Sequence, residues 1–383
     1  METERTPLGS GKGHDLRLWY KTEMVSHGTK PGAVLAAVVA LSGCATSAVD
    51  YVGYAYYDFG PEITLELLDD GEVFPEDRAL AEVERAVALL ELGSYAESTS
   101  ALSRAKLLLD SGRAYDPKSP PWLPEYHERV MMETMRIADE LAMQDLPNAA
   151  IRADSALAVV AEVDCESCLF NFTRVLAAMA YGGVGRFDDG LDVLSELTVE
   201  GRSEDLVDEL RSRLERGIPG TQPEGLAPPP VEPERSLTVI LLLGRGPFKD
   251  YDRLEITRSE TIQWARYLPR DPQVVTWAAV EVEDPAISVE LTDVGELAVE
   301  SLGLRADRVV MDGGAGAGPK PGDLRHWASL PASLQIMTTD VPMWIDSVDL
   351  VYYSPDGFEV DRENIQLPDS WTGGPLFVTR RMP

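Results

Sequence analysis

The chain has 383 residues, and its 65 acidic against 34 basic residues give a formal net charge of −31. This charge disfavours nucleic acid and anionic membrane surfaces as partners, because phosphate groups are bound through basic patches and the sequence shows none. The length allows two or three domains, and the 44% apolar content is ordinary for a globular protein. We interpret most of the acidity as a solvated surface.

An apolar segment runs from Ala33 to Leu41 and leads into Leu-Ser-Gly-Cys at residues 41–44. It is too short for a membrane-spanning helix, which needs about 20 residues, and fits the hydrophobic region of a secretory signal. The four-residue motif resembles the lipobox of bacterial lipoproteins, in which the cysteine is lipidated and becomes the mature N-terminus. The resemblance implies a lipid on Cys44 and a place in the cell envelope. The alternative is a short buried helix with an incidental cysteine.

Residues 1–43 are therefore predicted to be an N-terminal extension and signal peptide, with the true start at Met1 or Met24. Ala45 follows the cysteine, whereas an Asp there favours inner-membrane retention in Gram-negative lipoproteins. The resemblance thus implies the periplasmic face of the outer membrane. Residues 44–75 are predicted to be a lipidated tether, although their tyrosine-rich stretch could instead pack against the next domain.

The two remaining cysteines, Cys165 and Cys168, stand in the sequence Asp-Cys-Glu-Ser-Cys. In an oxidising compartment they can form a small disulfide loop, or they can stay as idle thiols. A thioredoxin-like redox motif is disfavoured because no βαβ pattern precedes the pair and the neighbouring acids oppose a thiolate. No metal site is predicted, since neither His127 nor His326 has ligand spacing to the pair.

Residues 76–216 are rich in helix formers, and their apolar residues recur at spacings of three and four, which predicts an α-helical domain. Three segments share a register typical of the second helix of a tetratricopeptide repeat. The sets are Tyr95, Ser98, Leu102 and Ala105; Leu146, Ala149, Ala153 and Ala156; and Phe187, Gly190, Leu194 and Leu197. A plain helical bundle is the alternative. Tyr181 and Phe187 are the predicted partner-binding residues of these repeats.

Residues 217–234 hold six prolines and three glycines, which is typical of a linker between domains. Residues 235–383 begin with a continuous apolar run that suits a buried strand, and shorter strand-like segments follow between Pro, Gly and Asp. Residues 345–360 are predicted to form a hairpin around Pro355-Asp356-Gly357. The predicted fold class is α+β: an N-terminal tetratricopeptide-like helical domain, then a mostly antiparallel β domain with one or two helices.

Three stretches carry a resemblance to a family of bacterial lipoproteins with tetratricopeptide-like repeats and a C-terminal β domain. They are "LELGSYAESTSALSRA", "GRGPFKDYDRLEI" and "GDLRHWASLPASLQI". In the third stretch the family pattern is matched by Asp323, Arg325, Trp327, Leu330 and Pro331, with Leu324 inserted between Asp and Arg. The resemblance covers most of the mature chain and implies architecture and location, but no activity.

No catalytic constellation or cofactor motif is predicted. The glycine-rich residues 312–323 fail the phosphate-loop pattern, because prolines flank Lys320. His127 lies in a polar insertion and is expected to be exposed. Arg325, His326 and Trp327 are predicted to form a surface or interface cluster. The favoured function is a non-enzymatic scaffold that binds an envelope protein or peptide through its repeats. The alternative is a binder of, or an enzyme acting on, envelope polymers or small ligands through the β domain.

Overall fold

A computed structural model describes most of the chain from Tyr56 onward. The described residues are 56–57, 59–70, 77–111, 122–162, 170–199, 201–217, 235–257, 260–269, 273–282, 285–299, 326–371 and 374–382. They confirm the α+β class, with helices in the N-terminal half and strands in the C-terminal part.

Eight helices precede the first strand in the described part of the chain. They are α1 (Pro61–Asp70), α2 (Arg78–Glu91), α3 (Tyr95–Asp110), α4 (Tyr126–Ala142), α5 (Leu146–Ala161), α6 (Asn171–Gly183), α7 (Phe187–Ser195) and α8 (Arg202–Gly217). Three-residue turns join α2 to α3, α4 to α5, and α6 to α7, so these six helices form three hairpins.

The three hairpin turns have the same backbone geometry. Their central residues are Gly93, Gln144 and Gly185, with φ of +72°, +59° and +79°. In each turn the central N–H donates to the carbonyl three residues back, at 2.9–3.1 Å, and the next N–H donates to the carbonyl five residues back, at 2.8–2.9 Å. This pair of bonds is the Schellman motif, which satisfies carbonyls at a helix end through one left-handed residue.

The C-terminal part forms two four-stranded sheets and one separate hairpin. The strands are β1 (Arg235–Leu243), β2 (Phe248–Thr257), β3 (Glu260–Leu268), β4 (Trp277–Glu281), β5 (Ala286–Ile287), β6 (Val289–Asp293), β7 (Ser333–Asp340), β8 (Ser347–Tyr353), β9 (Glu359–Gln366) and β10 (Gly374–Met382). A short helix at residues 294–299 follows β6.

The first sheet has the order β10-β1-β7-β6, and the second has the order β5-β4-β8-β9. The hairpin predicted at residues 345–360 is confirmed as β8 and β9, which pair from Ser347 to Gln366. The prediction of mostly antiparallel pairing holds except that β1 and β10 pair in parallel, which makes the first sheet mixed. These two strands are about 140 residues apart, so local sequence patterns carried no sign of their pairing.

The first sheet is buried on both faces. Along β1, Ile240 and Leu242 belong to the core shared with the helices. The alternate residues of β1 (Leu237, Val239, Leu241 and Leu243) pack against the second sheet. The described fold is therefore three layers: helices, first sheet and second sheet. Because the helices share a core with the first sheet, the β part does not extend away from the helical part.

The first helix of each hairpin lies between its second helix and the sheet. Every residue of α4 from Val130 to Leu141 is buried, whereas α3, α5 and α7 each keep an exposed side. Contact with β10 includes the Thr379 hydroxyl, which donates to the Ala138 carbonyl at 3.1 Å. Tyr95, which begins α3, also donates to the Thr379 carbonyl at 3.0 Å. The sheet thus covers the face that the first helices present.

The described part of the predicted tether is folded. Tyr56 and Tyr57 are 1% and 7% exposed, and α1 buries Leu67 and Leu68 in the core of the helical layer. Residues 56–57 and 59–70 of the segment 44–75 therefore pack against the helical layer, which is the alternative that the sequence left open for this segment. Most of the predicted linker, residues 218–234, lies outside the described residues.

Candidate functional site between the helices and the sheet

A buried loop connects the helical layer to the first sheet. We call residues 326–331 the interlayer loop. The Trp327 N–H donates to Glu128 Oε1, and the Ala328 N–H donates to Glu84 Oε1, both at 2.7 Å. Glu84 lies on α2 and Glu128 on α4, and both are at most 1% exposed. Two carboxylates from different helices therefore hold consecutive backbone amides of this loop.

The other side of the interlayer loop is held by its carbonyl groups. The Tyr57 hydroxyl bonds to the Ala328 and Leu330 carbonyls at 3.0 and 2.9 Å. The Gly246 N–H donates to the Leu330 carbonyl at 2.8 Å. A Cβ at Gly246 would overlap with the Leu330 carbonyl oxygen and lie 2.8 Å from that of Pro331. Glycine is thus required at 246 by a close approach of two backbones.

A buried ion pair lies at the start of α4. Lys249 Nζ is 2.9 Å from Glu125 Oε1, and the two side chains are 0% and 3% exposed. The Glu125 N–H donates to Glu128 Oε2 at 2.7 Å, as in a capping box. Since Lys249 belongs to β2, this pair connects the β2–β3 hairpin to the helical layer.

Aromatic and imidazole rings surround the lysine. Tyr267 is opposite Lys249 in the β2–β3 register, and Lys249 Nζ lies 5.4 Å from the centre of its ring. The His127 ring meets the Tyr267 ring edge-on at 5.1 Å, and the His326 ring does so at 6.3 Å. We call Glu125, His127, Glu128, Lys249, Tyr267 and His326 the interlayer cluster.

Burial dominates the electrostatics of the interlayer cluster. It raises the pKa of Glu128 to about 7, although Lys249 and two backbone N–H donors oppose the shift. Burial also lowers the pKa of His127, and the positive charges of Lys249 and His326 lower it further. His127 is therefore neutral at neutral pH, and the buried ammonium of Lys249 is balanced by Glu125.

A second polar group lies beside the interlayer loop at the end of β10. The Arg381 guanidinium donates to the Leu242 carbonyl at 2.9 Å and to the Ser329 carbonyl at 3.4 Å. Burial raises the pKa of Glu91 to about 7, against the attraction of Arg381. Glu91 is also hydrogen-bonded to the Tyr56 hydroxyl. The first described residues and the last strand are thus joined to α2.

This arrangement is suited to holding the layers together. All six members of the interlayer cluster are at most 5% exposed, so no substrate reaches them in this structure. Glu128 accepts hydrogen bonds from two backbone N–H groups, and Lys249 pairs with Glu125 across the layer boundary. A buried pair of this kind is costly to break because the remaining charge is left without compensation.

The predicted site residues that the structure describes are mostly buried. His326 and Trp327 are 2% and 0% exposed, so they do not lie at the surface, which was one of the two positions predicted for their cluster. The expected exposure of His127 is wrong, since it is 0% exposed. Their polar and aromatic groups are covered because helices and sheet meet at this point. His326 and Trp327 do lie at an interface, but it is one within the chain.

Tyr181 and Phe187 lie at the turn between α6 and α7. Tyr181 is 3% exposed, and its hydroxyl donates to Asp154 at 2.7 Å. The Arg186 guanidinium lies 4.1 Å above the tyrosine ring and binds the same carboxylate at 3.0 Å. Phe187 is partly buried, and its ring fills the space where a Cβ at Gly217 would be. Tyr181 therefore does not offer the free partner surface that was predicted.

Four further predicted residues fall outside the described part of the chain. They are Cys44, Cys165, Cys168 and Arg325. Lipidation of Cys44 and a disulfide between Cys165 and Cys168 stay predictions.

Sequence reasoning missed the charged members of the site. Glu125 and Glu128 carried a usable signal, because two acids three residues apart before an apolar run are typical of a helix start. Lys249 and Glu84 carried none, since charged residues are ordinarily exposed and their partners are more than 120 residues away.

Comparisons with protein-family models, curated proteins and solved structures gave no match. The family resemblance therefore stays a prediction. Among the described residues, no helix has both the length and the apolar character needed to cross a bilayer. Within the same residues, no three His, Cys, Asp or Glu side chains group as metal ligands.

Proposed function

We propose that the protein is a non-enzymatic protein-binding scaffold, held at the periplasmic face of the outer membrane by a lipid on Cys44. The Leu-Ser-Gly-Cys motif at 41–44 supports the anchor. Tyr56 is the first described residue and is buried in the fold. The twelve steps from Cys44 to Tyr56 span at most about 40 Å. The folded part would therefore stay close to the membrane.

We further propose that the three helix hairpins are degenerate tetratricopeptide-like repeats. Their support is the shared turn geometry at Gly93, Gln144 and Gly185. The small residues three positions into each second helix, Ser98, Ala149 and Gly190, are all buried. Small side chains at this position allow two helices to approach closely. The intervals of 51 and 41 residues between the turns exceed the usual 34, and the sequence attributes part of the excess to an insertion at residues 116–128.

The observation that carries the scaffold proposal is the sealed interlayer cluster. Its histidines, lysine, tyrosine and acids are all buried, and they join two layers. Repeats of this class usually bind partners on the face formed by their first helices. Here the chain's own sheet covers that face, so we place the partner on outward surfaces of the fold.

The alternative of a ligand-binding or catalytic β domain has one supporting observation. His127, Lys249, Tyr267 and His326 converge from both layers, which is a feature of active sites. Their complete burial weakens this alternative, because the layers would have to separate before a ligand could enter.

A cross-linking pull-down from native membranes tests the proposal. The wild type should fractionate with the outer membrane and recover one envelope protein reproducibly. Cys44→Ser should lose the membrane association while remaining folded by circular dichroism. If the wild type recovers no protein, the scaffold proposal is contradicted. If Cys44→Ser still fractionates with the membrane, the proposed anchor is contradicted.

A further inference from the structure

The turn between β7 and β8 presents two large apolar side chains to solvent. Met343 and Trp344 are 48% and 75% exposed. Trp and Met are enriched in the centres of protein interfaces, where a few large side chains supply most of the binding free energy. An exposed Trp at the tip of a turn is therefore a candidate contact residue.

Hydrogen bonds from the buried Arg235 side chain hold this turn in one conformation. Arg235, which is only 6% exposed, donates to the carbonyls of Met343 at 3.0 Å and of Ile345 at 3.3 Å. The Trp371 ring lies 4.2 Å from the Arg235 guanidinium carbon and covers it from the other side. A contact residue on a turn that is already ordered loses little conformational entropy when a partner binds.

The turn lies at the opposite end of β1 from Tyr57. Trp344 lies beside Arg235, where β1 begins, whereas Tyr57 contacts the interlayer loop beside Leu243, where β1 ends. The nine residues of β1 separate these ends by about 30 Å. The Trp344 turn is therefore remote from the interlayer cluster.

The rim of the turn is acidic. Asp346 and Asp369 are exposed, and the Leu367 N–H bonds to the Asp346 carbonyl, which brings their two turns together. The guanidinium of the nearby Arg213 already binds Glu209 at 2.9 Å and lies 3.6 Å from Asp340. Neither Asp346 nor Asp369 forms an ion pair with another residue that the structure describes. An indole next to such acids is complementary to a Lys or Arg side chain, which can stack on the ring and pair with a carboxylate.

We propose that Met343, Trp344, Asp346 and Asp369, the Trp344 surface, bind a basic segment of the envelope protein that the scaffold holds. This inference rests on the proposed function and adds the place and the chemistry of the contact. The net charge of −31 acts in the same direction, because it attracts basic partners over longer range.

The test places a photo-crosslinking amino acid at 344, at 151 or at 358 in the otherwise native, membrane-anchored protein. Ile151 is 55% exposed on the outward side of α5, and Phe358 is 73% exposed in the β8–β9 turn at the other end of β8. Adducts are identified by mass spectrometry, and the captured protein is then purified for binding assays. We expect capture at 344, through a peptide rich in Lys and Arg, and no capture at 358.

Affinity measurements with the purified partner then separate the contributions. Trp344→Ala should weaken binding about 30-fold, as expected for an interface hot spot. Asp346→Asn with Asp369→Asn should weaken it about threefold at low salt and have no effect at 0.5 M salt. Phe358→Ala is the matched control and should leave the affinity unchanged. Circular dichroism checks that each variant folds. We expect all of them to fold, because the four substituted side chains are exposed.

Each outcome is decisive. Capture only at 151 would overturn the Trp344 surface and leave the scaffold proposal standing. Capture of a glycan or lipid at 344, or of an acidic peptide, would also overturn the inference. If none of the three positions captures a protein, and the pull-down is empty too, both the inference and the proposed function are contradicted.

Discussion

The two ends of the first sheet reverse the usual distribution of side chains. At the end where β1 stops, Lys249, Glu128 and His127 are buried. At the end where β1 starts, Trp344 is 75% exposed. Burying charge costs free energy unless each group is paired, whereas exposing a Trp forgoes hydrophobic stabilisation. We call the end where β1 stops the polar end and the end where β1 starts the apolar end. The buried charged groups of the polar end maintain the architecture, whereas the apolar end remains available for binding.

The largest expected effect comes from breaking the buried ion pair at the polar end. Lys249→Met should lower the free energy of unfolding by about 3–5 kcal/mol, because the buried Glu125 carboxylate then loses the positive charge of Lys249. Chemical denaturation measures it. Arg129→Met is the control on the same helix, since its pair with Glu162 is exposed and should contribute less than about 1 kcal/mol. Equal effects of the two substitutions would contradict the role of the cluster.

The second-largest effect is the pH dependence of the stability that Glu91 causes. The unfolded carboxyl releases its proton near pH 4.5, whereas the folded one keeps it up to about pH 7. The contribution of Glu91 to the free energy of unfolding is therefore complete below pH 4.5 and is lost as the pH rises through 7. The stability of the wild type minus that of Glu91→Gln should fall across this window, by up to about 3 kcal/mol.

Denaturation of both proteins from pH 4 to 8 checks this prediction. Other titrating groups, including His127, whose lowered pKa acts in the opposite direction, cancel in the difference. Glu97→Gln, at an exposed position of α3, is the matched control. A difference that stays flat, or that rises with pH, would contradict the assigned environment of Glu91.

A smaller effect is expected where two backbones meet at the polar end. Gly246→Ala should destabilise the protein by about 1–3 kcal/mol, since its new methyl group would push against the Leu330 and Pro331 carbonyls. Gly295→Ala is the control, because a Cβ there meets only the movable Asp293 side chain at 3.1 Å. Thermal unfolding measures both. If Gly246→Ala is as stable as the control, the interlayer loop is not held as closely as described.

The smallest effect tests the equivalence of the hairpin turns. Gln144→Gly should stabilise the protein by up to about 1 kcal/mol, because a side chain at φ +59° is strained, and Gly93→Ala should destabilise it by a similar amount. Opposite signs are expected although both turns have the same geometry. A loss of stability in Gln144→Gly would show that contacts of the Gln side chain, such as the bond to the Leu141 carbonyl, outweigh the strain.

Sequence patterns predicted those helices and strands that the spacing of apolar and small residues within one segment determines. The apolar run at 236–243 is a strand buried on both faces, and the register of Ser98, Ala149 and Gly190 identified the packed sides of three helices. Periodicity reports such faces because each burial pattern repeats within one element.

The interlayer contacts could not be predicted in this way. Glu84 and Ala328 are 244 residues apart, and the local sequence around either gives no sign of the other. The same holds for Trp327, whose charged and polar neighbours in sequence suggested a surface position. The loop that carries Trp327 is held by Glu128, Tyr57 and Gly246, which come from three distant segments.

The most direct test of the central claim, that helices and sheet form one scaffold, is native-state hydrogen exchange of the anchored protein, read by mass spectrometry. The account predicts that amides of α4, β1 and β10 exchange with one common free energy, and that Lys249→Met lowers all three together. If α4 exchanged with a free energy separate from that of β1 and β10, and Lys249→Met changed only one layer, the account would be contradicted.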